Sequence, residues 1–428
     1  MKKFLAVVLA ALMALGSMVA LTACQDDSVA KIGVIYIGDE TEGYTLAHMN
    51  GIYAAAEALG IRDLIVERKK VSESEECSAA AKALIAEGCT LIISNSYGHQ
   101  DYMYSVASEN PDVAFYSMTG DYASISGLSN FYNAFTDVFE ARYVSGVVAG
   151  LKLREMISND VLTPDNLDEE GRCKIGYVGA YNYAEVVSGY TAFFQGIKSV
   201  VSDIVMEVKY TDSWFDFDRE AAAAEYLMSK GCCIIGQHAD STGAPAAVER
   251  AYNNFVNAGN DAAKWNCFSI GYNVSMLEAA PHVALTSATN NWSVFYTTLF
   301  TAWKNGTTLP VDWSEGFSQN AVGLTALGQN ATKDAQGTID ATIAGIKDGS
   351  IKVFNCAEFT VGGEHITTNI VNTSYMNWAT MTPIHVGKDI ETVKTENGIT
   401  FVTESLDRSA PYFSIRIDGI TETAFSAQ

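Results

Sequence analysis

Residues 32–60 read IGVIYIGDETEGYTLAHMNGIYAAAEALG, and this segment sets the class of fold. The run Ile32–Ile37 is short, apolar and rich in β-branched residues, which is typical of a buried strand. A polar loop follows, and the alanine-rich segment after it predicts a helix over Tyr44–Leu59, ended by Gly60. A strand, a loop and a helix in this order form the first half of a βαβ unit.

The same alternation of strands and helices runs through most of the chain. It continues to a predicted strand at Val113–Ser117 and starts again after Asn133, with a helix predicted over Phe139–Met156. Such alternation predicts parallel sheets with helices on both faces. We therefore predict an α/β fold of two doubly wound lobes, joined by a hinge, with a central ligand cleft. This arrangement resembles that of type I periplasmic binding proteins.

The N-terminus resembles a bacterial lipoprotein signal peptide. Met1-Lys2-Lys3 is basic, residues 4–20 are almost entirely apolar, and Leu21-Thr22-Ala23-Cys24 resembles a lipobox. The resemblance implies that Cys24 becomes a lipidated, palmitate-bearing N-terminus, which anchors an extracytoplasmic protein to the cell membrane. The alternatives are an uncleaved anchor, or an ordinary signal peptide in which Cys24 is incidental.

Length and charge limit the possible partners. The 428 residues exceed the ~250–300 at which a single core stops growing, which predicts at least two domains. The formal charge is −23, and it becomes −25 when Lys2 and Lys3 leave with the signal peptide. Nucleic acids and polybasic membrane docking both depend on Lys and Arg, so neither is expected.

We expect the chain to divide where the pattern restarts. The expected parts are a signal peptide at 1–23, the lipidated cysteine and tether at 24–30, lobe 1 at 31–136, lobe 2 at 137–284, a return to lobe 1 at 285–350, and a C-terminal segment at 351–428 that returns to lobe 2 and the hinge.

Neither the cysteines nor the histidines predict a metal site. Seven cysteines follow Cys24, an odd number without a repeated spacing, so we interpret most of them as core thiols. Six histidines are scattered along the chain, and none forms a ligand pair with a cysteine at metal spacing. No metal and no cofactor are expected.

The loops that follow the strands are the expected ligand site, because ligands of open α/β sheets bind beyond the carboxyl ends of the strands. Their aromatic rings can sandwich a planar ligand, and their carboxylates accept hydrogen bonds from hydroxyl or ring N–H groups but repel phosphate. These loops are residues 38–44, 95–100, 118–121, 179–185, 212–216, 237–243, 271–275 and 287–292. The candidate ligand-binding residues are Asp39, Tyr44, Thr45, Ser96, Tyr181, Trp214, Asp216, His238, Asp240, Asn273 and Asn290.

A plainer interpretation stays open for each of these residues. Tyr44 and Trp214 can simply pack in the core at helix starts, while the acids cap helix N-termini. Glu40 and Glu42, beside Asp39, are interpreted as parts of a solvated loop.

Motifs in a consistent order connect the chain to a known family. They are Ile32-Gly33-Val34 leading to Asp39 and Tyr44, Phe139–Gly146, Lys174–Gly179, Trp214-Phe215-Asp216, Gln237–Asp240 and Arg408-Ser409-Ala410-Pro411. Together they resemble the basic membrane protein (BMP) family of ABC-transporter substrate-binding lipoproteins, whose characterised members include purine-nucleoside receptors.

The resemblance implies a function and roles for single residues. Tyr44 and Trp214 would stack the ligand ring, Asp39 and Thr45 would meet its polar edge, and Asp240 would accept the ribose hydroxyls. Asn290 stands where the family has a sugar-contacting Lys, which suits a free nucleobase or another ring compound as well as a nucleoside. The implied protein is a monomeric receptor that delivers its ligand to ABC permease and ATPase subunits.

Two other functions remain open on the sequence. A receptor of the same fold can pass ligand occupancy to a membrane partner as a sensor. An extracytoplasmic nucleoside hydrolase would need an acidic metal site or an activated nucleophile, and no Gly-x-Ser-x-Gly elbow precedes a helix. We therefore expect no catalytic residues and no enzyme activity.

Overall fold

Two parallel β-sheets, one in each lobe, organise the molecule. The computed structural model describes residues 29–377, 380–406 and 408–424, so the predicted signal peptide and Cys24 lie outside the described residues. The helices are α1 Gly43–Ala58, α2 Glu75–Ala86, α3 Gln100–Glu109, α4 Val138–Ser158, α5 Ala184–Lys198, α6 Phe217–Ser229, α7 Gly243–Asn257, α8 Trp292–Asn305 and α9 Ala335–Lys347.

Most strands of the two lobes come first along the chain, and shorter strands follow near its end. The strands are β1 Lys31–Ile35, β2 Ile65–Arg68, β3 Cys89–Ser94, β4 Ala114–Met118, β5 Phe131–Thr136, β6 Cys173–Gly179, β7 Ile204–Tyr210, β8 Ile234–Gln237, β9 Phe268–Tyr272, β10 Ala284–Asn290, β11 Asp312–Glu315, β12 Val322–Leu324, β13 Ile370–Asn372, β14 Tyr375–Asn377, β15 Thr382–His385, β16 Asp389–Glu391, β17 Val393–Glu396, β18 Ile399–Val402 and β19 Ile420–Thr423.

The strand order confirms the predicted α/β class with two lobes. In lobe 1 the order is β11-β5-β4-β3-β1-β2, and every pair is parallel. In lobe 2 the order is β12-β10-β9-β8-β6-β7-β19, and only β12 runs antiparallel to its neighbour. Because consecutive strands cross over through helices, the carboxyl ends of the strands meet at one edge of each sheet.

The expected return to lobe 1 at residues 285–350 differs from the observed pairing. β10 lies inside the sheet of lobe 2, between β9 and β12, so the expected boundary after residue 284 falls within a strand. Nearly all of β10 is buried, and a strand covered on both faces belongs within a sheet. Only α8, which packs on α1, and β11 lie with lobe 1, whereas β12 and α9 lie with lobe 2.

One apolar core extends through both lobes, and a second, smaller one in lobe 1 contains Cys77 and Cys89. All seven cysteines after Cys24 are buried, which confirms that they serve as small apolar core residues. α4 and α5 pack so closely that a methyl group at Gly146 would lie 2.2 Å from the carbonyl oxygen of Phe193. Within the described ranges, no helix combines the length and the apolar character needed to cross a membrane.

Candidate ligand-binding site

A cavity lies between the carboxyl ends of the two sheets. The space it encloses together with its open mouth is about 450 Å³. Both lobes contribute to the wall, which consists of Ile37, Glu42, Tyr44, Asn95, Ser96, Tyr97, Thr119, Glu185, Trp214, His238, Asp240 and Tyr272.

The wall from lobe 1 is held by hydrogen bonds between neighbouring strand ends. Asn95, just after β3, accepts a hydrogen bond from the backbone N–H of Ile37 at 2.8 Å and donates one to the Thr45 hydroxyl at 3.0 Å. Thr45 therefore supports the wall from behind. Tyr44 begins α1 with its ring edge-on to His48, at 4.5 Å between centroids, and its buried hydroxyl has no hydrogen-bond partner.

The wall from lobe 2 is a cluster of aromatic rings. The Trp214 ring contacts Tyr181 at 5.1 Å and Tyr183 at 5.9 Å between centroids, and it lies 6.3 Å from the His238 ring. Tyr183 also reaches the lobe 1 residue Tyr97, at 6.0 Å between ring centroids. The two lobes therefore meet ring to ring beside the cavity.

Carboxylates face the cavity from both lobes, and no lysine or arginine is among the lining residues that the structure describes. Glu42 and Asp240 are each only 6% exposed. Burial raises the pKa of Asp240 well above its usual value, and neighbouring Glu42 adds to the rise. Burial also raises the pKa of Glu42. Such carboxyls need hydrogen-bond donors when they are ionised, and a bound ligand can supply them.

Asparagines behind the cavity hold Asp240 in place. Asn273 donates a hydrogen bond to Asp240 at 2.6 Å and accepts one from Asn290 at 2.9 Å. Asn273 has a φ of 62°, in the left-handed region that asparagine tolerates better than most residues. Asn290 also bonds to Thr136 of lobe 1, so this network joins the two lobes.

A buried arginine lies directly behind the lobe 2 wall. Arg142 places its guanidinium 3.7 Å above the ring of Tyr272 and donates to the Gln237 carbonyl at 3.0 Å. Burial, and then the charge of Arg142, lowers the pKa of His238 to about 4, so the imidazole is neutral at physiological pH. Its Nε2 lies 3.2 Å from a carboxylate oxygen of Glu185, which fits an N–H donating to that oxygen.

The structure brings most of the predicted residues to one place. Tyr44, Ser96, Trp214, His238 and Asp240 line the cavity. Thr45, Tyr181, Asn273 and Asn290 lie behind it, each in contact with a lining residue.

Two predicted residues face other groups. Asp39 bonds to Thr41 at 3.0 Å and pairs with Lys70 at 2.7 Å on the outer side of its loop. Asp216 accepts the backbone N–H of Arg219 at 3.0 Å and so caps the start of α6. Asp216 therefore acts as a helix cap, as the alternative interpretation of the acids suggested, and it is not among the residues that line the cavity.

Sequence reasoning missed several lining residues, although nearly all lie in the loops that it selected. The interpretation of Glu42 as a solvated residue was wrong, because Gly43 closes against the Asp240 carbonyl at 3.3 Å and buries Glu42 between the lobes. Glu40 is exposed and pairs with Lys69. Glu185, Tyr97 and Tyr272 were missed, since nothing in their own segments separates them from ordinary helix-start or strand-end residues.

Comparisons with known proteins agree with this geometry. Residues 30–352 match the family model Bmp, described as ABC transporter substrate-binding protein PnrA-like. Residues 353–428 fall outside that match, and so does Arg408-Ser409-Ala410-Pro411, which the sequence had suggested as one of the family motifs. A purine-binding protein of Brucella abortus (strain 2308) is 30% identical over 325 residues, which are 76% of this chain and 83% of the relative. A putative ABC transporter glucose-binding protein of Haloferax volcanii is 27% identical over 269 residues, which are 63% of this chain and 60% of that relative.

A solved structure shares the fold. The ABC transporter solute-binding protein from Aeropyrum pernix K1 has a TM-score of 0.58 at 16% identity, covering 78% of this chain and 94% of that one. At this identity the likeness concerns the fold alone. It confirms the predicted resemblance to type I periplasmic binding proteins.

Proposed function

The chain belongs to the Bmp family of PnrA-like ABC transporter substrate-binding proteins, and on that premise we propose that its cleft captures a purine nucleoside or nucleobase. One observation carries the proposal. Tyr44 of one lobe and Trp214 of the other line the same cavity, together with carboxylates and without a lining lysine or arginine among the described residues. An uncharged planar ring that is rich in N–H and O–H donors is complementary to such a wall.

Membership of the family fixes the broader role. Proteins of this family are solute receptors rather than enzymes, they act outside the cytoplasm, and their partners are the permease and ATPase subunits of an ABC transporter. The hydrolase alternative is therefore set aside.

Stacking supplies the ring-binding part of the proposal. Tyr44 and Trp214 offer flat apolar faces from opposite lobes, and stacking of a base on an aromatic side chain is worth roughly 1–3 kcal/mol per base. Tyr181 and Tyr183 support the Trp214 ring from the side. Closure of the lobes around the ligand then brings the two aromatic faces to the same ring.

The carboxylates supply the polar part. Glu42 from lobe 1 and Glu185 and Asp240 from lobe 2 can accept hydrogen bonds from ring N–H groups, exocyclic amines or sugar hydroxyls. The same carboxylates would repel a phosphate, so a nucleotide is a poor ligand. The buried guanidinium of Arg142 lies against Tyr272 and is not among the lining residues.

Purine compounds are expected to stabilise the protein against heat. Adenosine, inosine, guanosine and their free bases should raise the melting temperature, since a ligand at 100 times its Kd adds about 2.7 kcal/mol to the free energy of unfolding. AMP and glucose serve as controls and should leave the melting temperature unchanged. A flat response to the whole purine panel, or a response to glucose alone, would contradict the proposal. Mass spectrometry of ligand that co-purifies with the protein checks the result independently.

We also propose that the receptor is a monomer anchored through a lipid on Cys24. The support is the basic start of the chain, the apolar residues 4–20 and the lipobox-like Leu21-Thr22-Ala23-Cys24. Expression with radioactive palmitate should label the wild-type protein and move it to the membrane fraction, whereas Cys24→Ser should remain unlabelled. Equal labelling of the two proteins would refute the anchor.

A further inference from the structure

The C-terminal segment, residues 353–424 as far as the structure describes them, lies outside the family match but contacts both lobes. In lobe 1 the Tyr375 hydroxyl donates to a carboxylate oxygen of Asp101 at 3.0 Å. In lobe 2, β19 pairs in parallel with β7, and Glu422 accepts a hydrogen bond from the Tyr190 hydroxyl at 2.8 Å. The segment therefore crosses from one lobe to the other as an additional connection.

Between these two anchors, the segment reaches the wall of the cavity. Nη1 of Arg408 lies 3.7 Å from Oδ2 of Asp121, which follows β4 in lobe 1. The Tyr97 hydroxyl donates to the same oxygen at 3.3 Å, and Tyr97 lines the ligand cavity. Asp121 is thus shared between a residue of the C-terminal segment and a residue of the wall.

Asp121 is held in place by further hydrogen bonds, so it can link Arg408 to Tyr97. Its other oxygen, Oδ1, accepts a hydrogen bond from the Gln100 side chain at 3.2 Å, and its backbone N–H donates back to Gln100 at 3.1 Å. Burial raises the pKa of this carboxyl, and the charge of Arg408 opposes that rise. Without the guanidinium, the ionised carboxyl would be buried without a cation, which is costly.

Arg408 is itself held rigidly. Its Nε donates to the Ala410 carbonyl at 3.0 Å and its Nη2 donates to the Pro411 carbonyl at 3.1 Å. These bonds use the fixed fork of the guanidinium, which a lysine cannot reproduce. The position of the C-terminal segment therefore determines where the charge lies beside Asp121.

We propose that Arg408 is a positioning residue for ligand binding, which fixes Tyr97 in the cavity wall through Asp121. Tyr97 also contacts Tyr183 across the mouth of the cavity, so its placement affects both the wall and the contact between the lobes. The proposal rests on the proposed function, because it assumes that the ligand occupies this cavity. A segment beyond the family match thereby becomes part of the binding apparatus.

A double-mutant cycle in the full-length chain tests the connection, with adenosine, inosine and guanosine as probes. Arg408→Gln and Tyr97→Phe should each weaken binding by on the order of five- to tenfold, within the range of couplings between contacting residues. The double variant should bind no more weakly than either single variant, because Tyr97→Phe already removes the hydroxyl that Asp121 holds. Arg408→Lys should restore part of the affinity. Lys394 is an exposed residue of the same segment, and Lys394→Gln also removes one positive charge. This control variant should bind as the wild type does.

A second readout needs no ligand and keeps the two proposals distinguishable. In the ligand-free protein, hydrogen exchange of peptides covering residues 95–100 and 119–122 should be faster in Arg408→Gln than in Lys394→Gln. If the wild type binds none of the purines, the proposed function fails. The exchange data then show by themselves whether Arg408 positions Tyr97. Additive losses in the double variant, or unchanged exchange in these peptides, would overturn the role of Arg408.

Discussion

Trp214→Ala is expected to show a much smaller ligand-induced rise in melting temperature than the wild type. The substitution removes one of the two aromatic faces that the proposal assigns to the ligand ring. The expected loss of affinity is on the order of 10- to 100-fold, because stacking of one base contributes roughly 1–3 kcal/mol. Isothermal titration measures the loss directly, and the ligand-induced change in tryptophan fluorescence should shrink with it.

The neighbouring residue supplies a matched control for this prediction. Phe215 is 40% exposed and does not line the cavity, so Phe215→Ala should bind as the wild type does. Trp214→Phe keeps a flat apolar ring and should retain part of the affinity. If Trp214→Ala binds with unchanged affinity while its melting temperature without ligand stays normal, the ring does not stack on the ligand.

The position of the site could be predicted from the sequence because it follows from topology. Every lining residue except Ile37 falls within the loops that were selected as the carboxyl ends of strands. Parallel strands linked by helices place these ends at one edge, whatever the side chains are. Tyr44 and Trp214 could be predicted as ligand-binding residues because they are aromatic residues within these loops.

The polar chemistry of the site was harder to predict, since it depends on contacts between distant segments. Glu42 is buried where the two lobes meet, beside the hydrogen bond from the Gly43 N–H to the Asp240 carbonyl. Arg142 lies near the start of α4 and reaches the site through Tyr272 and Gln237, more than ninety residues away in the sequence. A single sequence offers no signal for such pairings.

The internal structure of the C-terminal segment was beyond prediction for a different reason. Its strands β13 to β18 have three or four residues each and form isolated pairs, so their patterns are too short to show a period. Their stability comes from packing on the two lobes, as shown by the bond from Tyr375 to Asp101 and the pairing of β19 with β7. The sequence suggested a return of the whole segment to lobe 2 and the hinge, but it gave no indication of these short strands or of the bond from Tyr375 to lobe 1.

The protein also buries carboxyls away from the cavity, and these contribute to the dependence of its stability on pH. Burial raises the pKa of Glu140 to about 7, that of Glu220 to about 7 and that of Asp312 to about 6. In an unfolded chain such groups titrate near 4. The folded state therefore holds protons that the unfolded state releases, which favours folding in mild acid.

The ligand-free protein is accordingly expected to melt at a higher temperature at pH 5 than at pH 8. The stabilisation is complete below the unfolded pKa near 4, and it is lost as the pH rises through the folded values of about 6 to 7. The net charge of −23 acts in the same direction, because repulsion among ionised acids grows as the pH rises. Buried histidines act in the opposite direction, since burial lowers the pKa of His48, His99 and His238 and the unfolded chain takes up protons there at pH 5. The carboxyls with a raised pKa outnumber these histidines, so the acid-side stabilisation is expected to prevail. Scanning calorimetry across this pH range measures the trend, and a melting temperature that increases from pH 5 to pH 8 would contradict it.

Replacing a buried carboxyl by a neutral amide tests whether that residue contributes to the pH dependence of stability. Glu220 accepts hydrogen bonds from the backbone N–H groups of Ser241 and Asp216, so Glu220→Gln keeps an acceptor at this site and removes the buried charge. We expect Glu220→Gln to be about 1–3 kcal/mol more stable than the wild type at pH 8 and nearly equal to it at pH 5. Glu278→Gln, at an exposed position, should leave both values unchanged. If Glu220→Gln were more stable than the wild type by the same amount at both pH values, the difference in stability would come from packing and not from the buried charge.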